Sequence, residues 1–217
     1  MIKVAITGNI AAGKSTVEKI LKSWGYSALN TDDISHDLLE GKKGSIPEFK
    51  GSGFIDIKQE VLKAFKGFDI LDADGNISRT KVGKIVFHDK KMLKKLESII
   101  HPFVRLKIYE FFEAHKDETV IFVSVPQLYE AEMQYMFDKV ILVFSEDKYR
   151  YRRLLKRDGY TEEYASARIS AQMPQVDKLL LCDDCLENDG TISELKVRIS
   201  YLLNEYKHLD PKRGRIL

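Results

Sequence analysis

The stretch Gly8-Asn9-Ile10-Ala11-Ala12-Gly13-Lys14-Ser15-Thr16 constrains this chain more than any other, because it fits the phosphate-binding pattern G-x-x-x-x-G-K-[ST]. Glycine reaches backbone angles closed to other residues, so successive N–H groups can turn inward toward phosphate oxygens. Lys14 adds a mobile charge for the outer phosphates and Ser15 a hydroxyl for Mg²⁺, while a helix starting here points the positive end of its dipole at the anion. The flanks suit the motif. Lys3-Val4-Ala5-Ile6-Thr7 reads as a buried strand ahead of it, and Val17, Ile20, Leu21 and Trp24 recur at helical spacing behind it, closed by Gly25 as a cap. Strand, loop and helix in that order predict an anion site.

The 217 residues suffice for one core, or for a core domain carrying a large insertion. Apolar content of 44% and charged content of 31% describe an ordinary globular protein. A net charge of +2 gives no global attraction to nucleic acid or membrane, so the electrostatics that matter are local. No apolar run approaches a membrane span and no signal-peptide pattern precedes the strand at residue 2, which predicts a cytoplasmic protein. Cys182 and Cys185 form a C-x-x-C, but one pair is too few for zinc and His36, His88, His101, His115 and His208 show no partner spacing. The two cysteines read as small buried side chains.

Tyr26 to Asn30 reads as a second strand, with Thr31-Asp32-Asp33 at its C-terminal end. Ligands of doubly wound α/β sheets sit outside the carboxyl ends of the strands, so Asp32 and the loop are expected in one crevice. The plainer reading of Asp32 is a solvated strand end or a helix N-cap. From Ile34 to about Asp117 helical patterns take over, through Val61, Leu62 and Phe65, then Val82, Ile85 and Val86, then Leu93, Leu96, Ile99 and Ile100. Pro102 is expected to kink or interrupt the last of these, which would aim His101 into a cleft or leave it satisfied by its neighbours. Asp72-Ala73-Asp74-Gly75-Asn76-Ile77 fails the calcium-loop count and reads as a polar turn.

Thr119 to Val125 and Lys139 to Phe144 look like central parallel strands. Neither ends in an aspartate suited to a metal, which shifts that role to Ser15 and Asp32. N-K-x-D, the guanine-reading motif of switch GTPases, is absent. The run from Lys148 to Arg157 carries six basic residues in ten, and on a helix Arg150, Arg153 and Arg157 share one face. Such a face is either solvated or a set of guanidinium forks for transferring phosphates. Arg168 and Gln172 follow, then a closing helix through Ile192, Leu195, Ile199 and Leu202, and a basic tail from Lys207 that is expected to fray.

From Ile2 to about Leu203 the chain resembles the dephospho-coenzyme A kinases. Besides the loop, Asp32 stands where the family has the second acid of its D-A-D, and Leu71-Asp72-Ala73-Asp74-Gly75 is similar to its turn in the helical insertion. Ile99-Ile100-His101-Pro102 is similar to its H-P element, and Val125-Pro126-Gln127-Leu128-Tyr129-Glu130 to its V-P-L-L-F-E. Arg153-Leu154-Leu155-Lys156-Arg157-Asp158 is similar to its lid arginines, Arg168 to Gln172 to its R-x-x-x-Q, and Asn188-Asp189-Gly190 to its N-x-G. The chain departs from the pattern at Asn30, His36, Gln127 and Arg150, where the family usually has acid, arginine, leucine and glutamine.

The resemblance implies an α/β P-loop kinase with a central parallel sheet, a helical acceptor-binding insertion and a basic lid. Its nucleotide-binding core would span 1–33 and 118–206 with a lid at about 147–175, the insertion 34–117 and the frayed tail 207–217. It implies ATP-dependent phosphorylation of the ribose 3′-hydroxyl of dephospho-coenzyme A, with Mg²⁺, by a monomer that binds neither nucleic acid nor membrane. Gly8 to Thr16 and Asn188 would bind ATP, and Lys14, Arg153 and Arg157 would neutralise the transferring group. Asp32 would take the acceptor proton, Asp32 and His101 would contact the acceptor, and Ser15 with Asp32 would hold the metal. The alternatives are another P-loop nucleotide or small-molecule kinase, or an ATP-driven switch with no acceptor.

Overall fold

Residues Ile2–Thr7 (β1), Ala28–Asn30 (β2), Val120–Ser124 (β5), Lys139–Phe144 (β6) and Asp184–Glu187 (β7) form one parallel sheet of order β2-β5-β1-β6-β7. The computed structural model describes residues 1–40, 45–46, 55–158, 161–170 and 172–209. The chain divides into two units, Met1–Asn30 with Phe111–Leu217, and Thr31–Glu110.

In the first unit the three middle strands are apolar on both sides, because helices cover both faces of such a sheet. On one face Val4, Ile6, Phe122, Ile141, Val143 and Leu186 form a core with Val17 and Leu21 of helix α1 (Lys14–Ser23). Leu195, Ile199, Leu203 and Tyr206 of helix α9 (Ile192–Lys207) complete it. On the other, Ala5, Ile121, Val123, Val140 and Leu142 are equally buried. The register sets the C-terminal edge: Ile6 lies beside Ser124, Asn30 beside Ser124, and Phe144 beside Glu187.

The ends of α1 and α9 are written in the sequence. Gly25 takes φ 85°, its N–H bonds Lys22 O and that of Tyr26 bonds Leu21 O, both at 3.1 Å, which is the Schellman closure of a helix. Thr191 and Glu194 form a reciprocal capping box at the start of α9. Residues 210–217, most of the predicted tail, lie outside the described residues.

Leu179 closes the short helix α8 (Gln175–Leu179), and Leu180 and Leu181 run on from it toward β7, all three exposed. One expectation fails here. Cys185 is exposed on β7 rather than buried, because strand alternation gives the inner position to Leu186. Partial desolvation pushes both thiols up, Cys185 to about 11, which opposes a thiolate role.

The second unit is built from α2 (Thr31–Leu39), a two-stranded antiparallel ladder of β3 (Ser45–Ile46) and β4 (Ile55–Asp56), α3 (Ile57–Ala64), α4 (Arg79–His88) and most of α5 (Lys90–Ala114). Its core gathers Leu38, Ile57, Val61, Phe65, Ile77, Val82, Ile100, Val104 and Ile108. Asp72 makes the polar turn, its Oδ1 accepting from the N–H of Asp74 at 3.0 Å and of Asn76 at 2.8 Å. Pro102 does not interrupt α5, which runs for 25 residues with the proline inside it. The apolar face continuing through Phe103, Val104 and Ile108 holds the helix across the missing donor. No helix among the described residues is long and apolar enough to cross a membrane.

Candidate active site

The loop between β1 and α1 is shaped by which way its peptide planes face. Ile10 O accepts from Arg150 Nε at 3.0 Å, Ala11 O from Arg153 Nη1 at 3.0 Å, and Ala12 O from Asn188 Nδ2 at 2.7 Å. Three successive carbonyls are thus held toward surrounding side chains. In a trans peptide the N–H points opposite its carbonyl, so the amides of Ala11, Ala12 and Gly13 turn toward the inside of the loop. That is the polarity an anion requires.

Backbone and packing both demand the glycines. Gly8 and Gly13 take φ 149° and 106°, and a Cβ on Gly8 would lie 2.5 Å from Val143 O. Ala11 adopts the left-handed φ of 59° despite its side chain. Lys14 Nζ donates to Gly8 O at 2.7 Å and Asn9 O at 3.2 Å, which keeps the ammonium over the loop. Ser15 and Thr16 follow in the first turn of α1, Ser15 exposed.

The basic run forms helix α6 (Asp147–Asp158), with α7 (Glu162–Ser170) packed beside it. It is not a solvated face throughout. Arg150 is 1% exposed. Arg153 Nη1 also donates to Ser145 Oγ at 3.1 Å, and its Nη2 reaches Asn188 O. Both arginines therefore act on the carbonyl side of the loop. Arg152 is exposed, and the side chain of Arg157 lies outside the described residues.

Gln172 closes the R-x-x-x-Q read in the sequence, but Ser145, Met173 and Gln175 carry no motif signal. Ser145 is buried, bonds Asp189 Oδ1 and accepts at its backbone O from Gln175 Nε2 at 2.9 Å. Gln172 Oε1 accepts from Ile10 N–H at 2.6 Å, and Asn9 Nδ2 donates to Met173 O at 2.9 Å. These contacts span up to 164 positions, so no local pattern announces them.

At the sheet edge Asn30 Nδ2 donates to Glu18 Oε2 at 3.1 Å, so an amide stands there as donor where a carboxylate would accept. Asp32 belongs to the second unit, exposed in the first turn of α2 beside Asp33. In the same unit His36 Nδ1 faces Arg79 Nη1 at 2.8 Å. His101 sits on α5, where burial first and the Arg105 charge second hold its imidazole below the usual histidine range.

Among the described residues no group of three His, Cys, Asp or Glu side chains could hold a metal by itself. Ser15 and Asp32, the expected metal ligands, are each exposed.

Known proteins share this fold. The family described as dephospho-CoA kinase matches residues 2–194. Dephospho-CoA kinase of Carboxydothermus hydrogenoformans is 36% identical over 211 residues, covering 95% of each chain. The crystal structure of TT1252 from Thermus thermophilus superposes with a TM-score of 0.76 at 31% identity, over 94% of this chain and 97% of that one. Dephospho-CoA kinase from Campylobacter jejuni does so with a TM-score of 0.65 at 26% identity, over 94% and 96%. With a P-loop kinase fold and a family match over nearly its whole length, the chain belongs to the dephospho-CoA kinase family.

Proposed function

We propose that the protein transfers the γ-phosphoryl group of ATP to the ribose 3′-hydroxyl of dephospho-coenzyme A, giving coenzyme A and ADP. The observation that carries this reading is the loop polarity, with the carbonyls of residues 10 to 12 held outward and the amides of 11 to 13 inward. Gly8 to Thr16 cradle the triphosphate. Lys14 exchanges carbonyl partners for phosphate oxygens by a short swing of an ammonium with three donors. Arg153 and Asn188 brace the nucleotide loop from its carbonyl side, Arg157 neutralises the transferring group, and the segment 147–175 acts as a lid that excludes water.

The insertion 34–117, with Asp32 just ahead of it, takes the acceptor through Asp32 and His101. Asp32 orients the 3′-hydroxyl and takes its proton as the new O–P bond forms and the bond from Pγ to the bridging oxygen breaks, leaving its electrons on ADP. Ser15 and Asp32 would hold Mg²⁺, which when bound would supply neutralisation of phosphate charge. The protein works in the cytoplasm as a monomer, without nucleic acid or membrane.

The test is a kinase assay with ATP·Mg²⁺ and dephospho-coenzyme A, AMP or adenosine as acceptor. Dephospho-coenzyme A should be phosphorylated far better than the other two, because binding energy from its remote diphosphate and pantetheine fixes the hydroxyl. A preference for AMP or adenosine would point to another P-loop kinase. Transfer to water alone would leave an ATP-driven switch.

A further inference from the structure

Ile10 is gripped on both sides by the base of the α6–α7 hairpin. Gln172 Oε1 accepts from its N–H at 2.6 Å, and Arg150 Nε donates to its carbonyl at 3.0 Å. The two residues bracket the hairpin, one near the start of α6 and one just after α7. The anchors are themselves anchored. Arg150 Nη1 bonds Asp147 Oδ1 at 2.7 Å, and Gln175 Nε2 donates to the same oxygen at 3.2 Å.

Each grip fixes a different peptide plane. Gln172 holds the Ile10 N–H outward, which turns Asn9 O inward, where it accepts from Ala12 N–H at 3.1 Å and Lys14 Nζ at 3.2 Å. Arg150 holds Ile10 O outward, which turns the Ala11 N–H inward. With Arg150 gone, the plane between Ile10 and Ala11 is free to flip and present a carbonyl to a phosphate oxygen. Ala11 lies next to that plane at a left-handed φ of 59°, a conformation that persists only where its surroundings enforce it.

We propose that Arg150 and Gln172 are positioning residues that clamp the loop through Ile10, tie its conformation to the α6–α7 hairpin and so set ATP affinity without touching the acceptor. The proposal rests on the loop being the ATP site. An arginine buried at 1% exposure beside the loop is otherwise an expensive choice, since among the described residues its charge is met by Ile10 O and Asp147.

The experiment compares the full-length wild type with Arg150→Met, Arg150→Gln, Gln172→Met and the Arg150→Met/Gln172→Met pair. It reads the ATP Kd by calorimetry, KM and kcat for both substrates, and thermal unfolding. Losing one buried hydrogen bond to the loop should raise the ATP Kd and KM of Arg150→Met about tenfold, with a much smaller change in kcat and in the KM for dephospho-coenzyme A. Arg150→Gln should recover most of that loss, because an amide N–H can still donate to Ile10 O. The pair should cost less than the sum of its members.

Unchanged ATP affinity in folded Arg150→Met overturns the clamp, as does an Arg150→Gln no better than Arg150→Met. If Arg150→Met does not fold, Gln172→Met decides: a raised ATP Kd supports the clamp and an unchanged one overturns it. A wild type that binds no ATP overturns both the clamp and the kinase reading, whereas tight ATP binding unaffected by these variants overturns the clamp alone.

Discussion

A Cβ added to Gly13 would fall 2.0 Å from Asn188 Nδ2, the donor that holds Ala12 O at 2.7 Å. Gly13 therefore lacks a side chain for two reasons, its φ of 106° and the amide pressed against it. Gly13→Ala should displace Asn188 and lower ATP affinity by about tenfold or more, the loss of one buried bond plus strain. Titration of ATP into the folded variant checks this, and wild-type affinity would refute the account.

Lys14→Ala should remove most activity and leave the thermal midpoint close to wild type. The ammonium bonds carbonyls of its own loop, Gly8 O and Asn9 O, and Lys14 is not one of the buried core residues. Paired activity and melting measurements check it; near-normal turnover in the folded variant would sink the loop assignment.

Asp32→Asn should lower turnover by roughly 10²–10⁴, the usual contribution of a positioned general base. Its exposure in the first turn of α2 means that stability should barely change. If both ATP binding and turnover stay normal, Asp32 is no more than a solvated helix start.

Arg153→Ala should reduce kcat/KM by about 10- to 100-fold, since charge-assisted bonds to buried carbonyls are worth roughly 1.5–3 kcal/mol. Arg152→Ala, exposed on another face of α6, should change it by no more than about twofold. Equal small losses at both positions would restore the solvated-face reading.

His101 makes stability depend on pH with a definite sign. Burial holds its folded-state imidazole below the unfolded value, so the unfolded chain binds the proton more readily. Its contribution is complete above the ordinary histidine value of about 6.5 and is lost as pH falls from there toward the depressed folded value. Denaturant midpoints measured between neutral and mildly acidic pH should fall for wild type and fall less for His101→Asn. Identical slopes would contradict the assignment.

What the sequence determined by itself is whatever local chemistry dictates. The glycine pattern from Gly8 to Gly13, the apolar runs of β1, β5 and β6, the Gly25 closure of α1 and the Asp72 turn are each set by a few adjacent residues, and each is legible in order along the chain. Tertiary structure decided what those residues meet. Pro102 stays inside α5 because the packed face on either side outweighs one lost donor, and Cys185 faces outward because Leu186 takes the core position on β7. Arg150 and Arg153 share the helix face that their spacing predicts, but only the fold turns that face toward the carbonyls of residues 10 to 12. A hydrogen bond across some 140 positions leaves no periodicity in the sequence, since it depends on where two separate elements come to rest against one sheet.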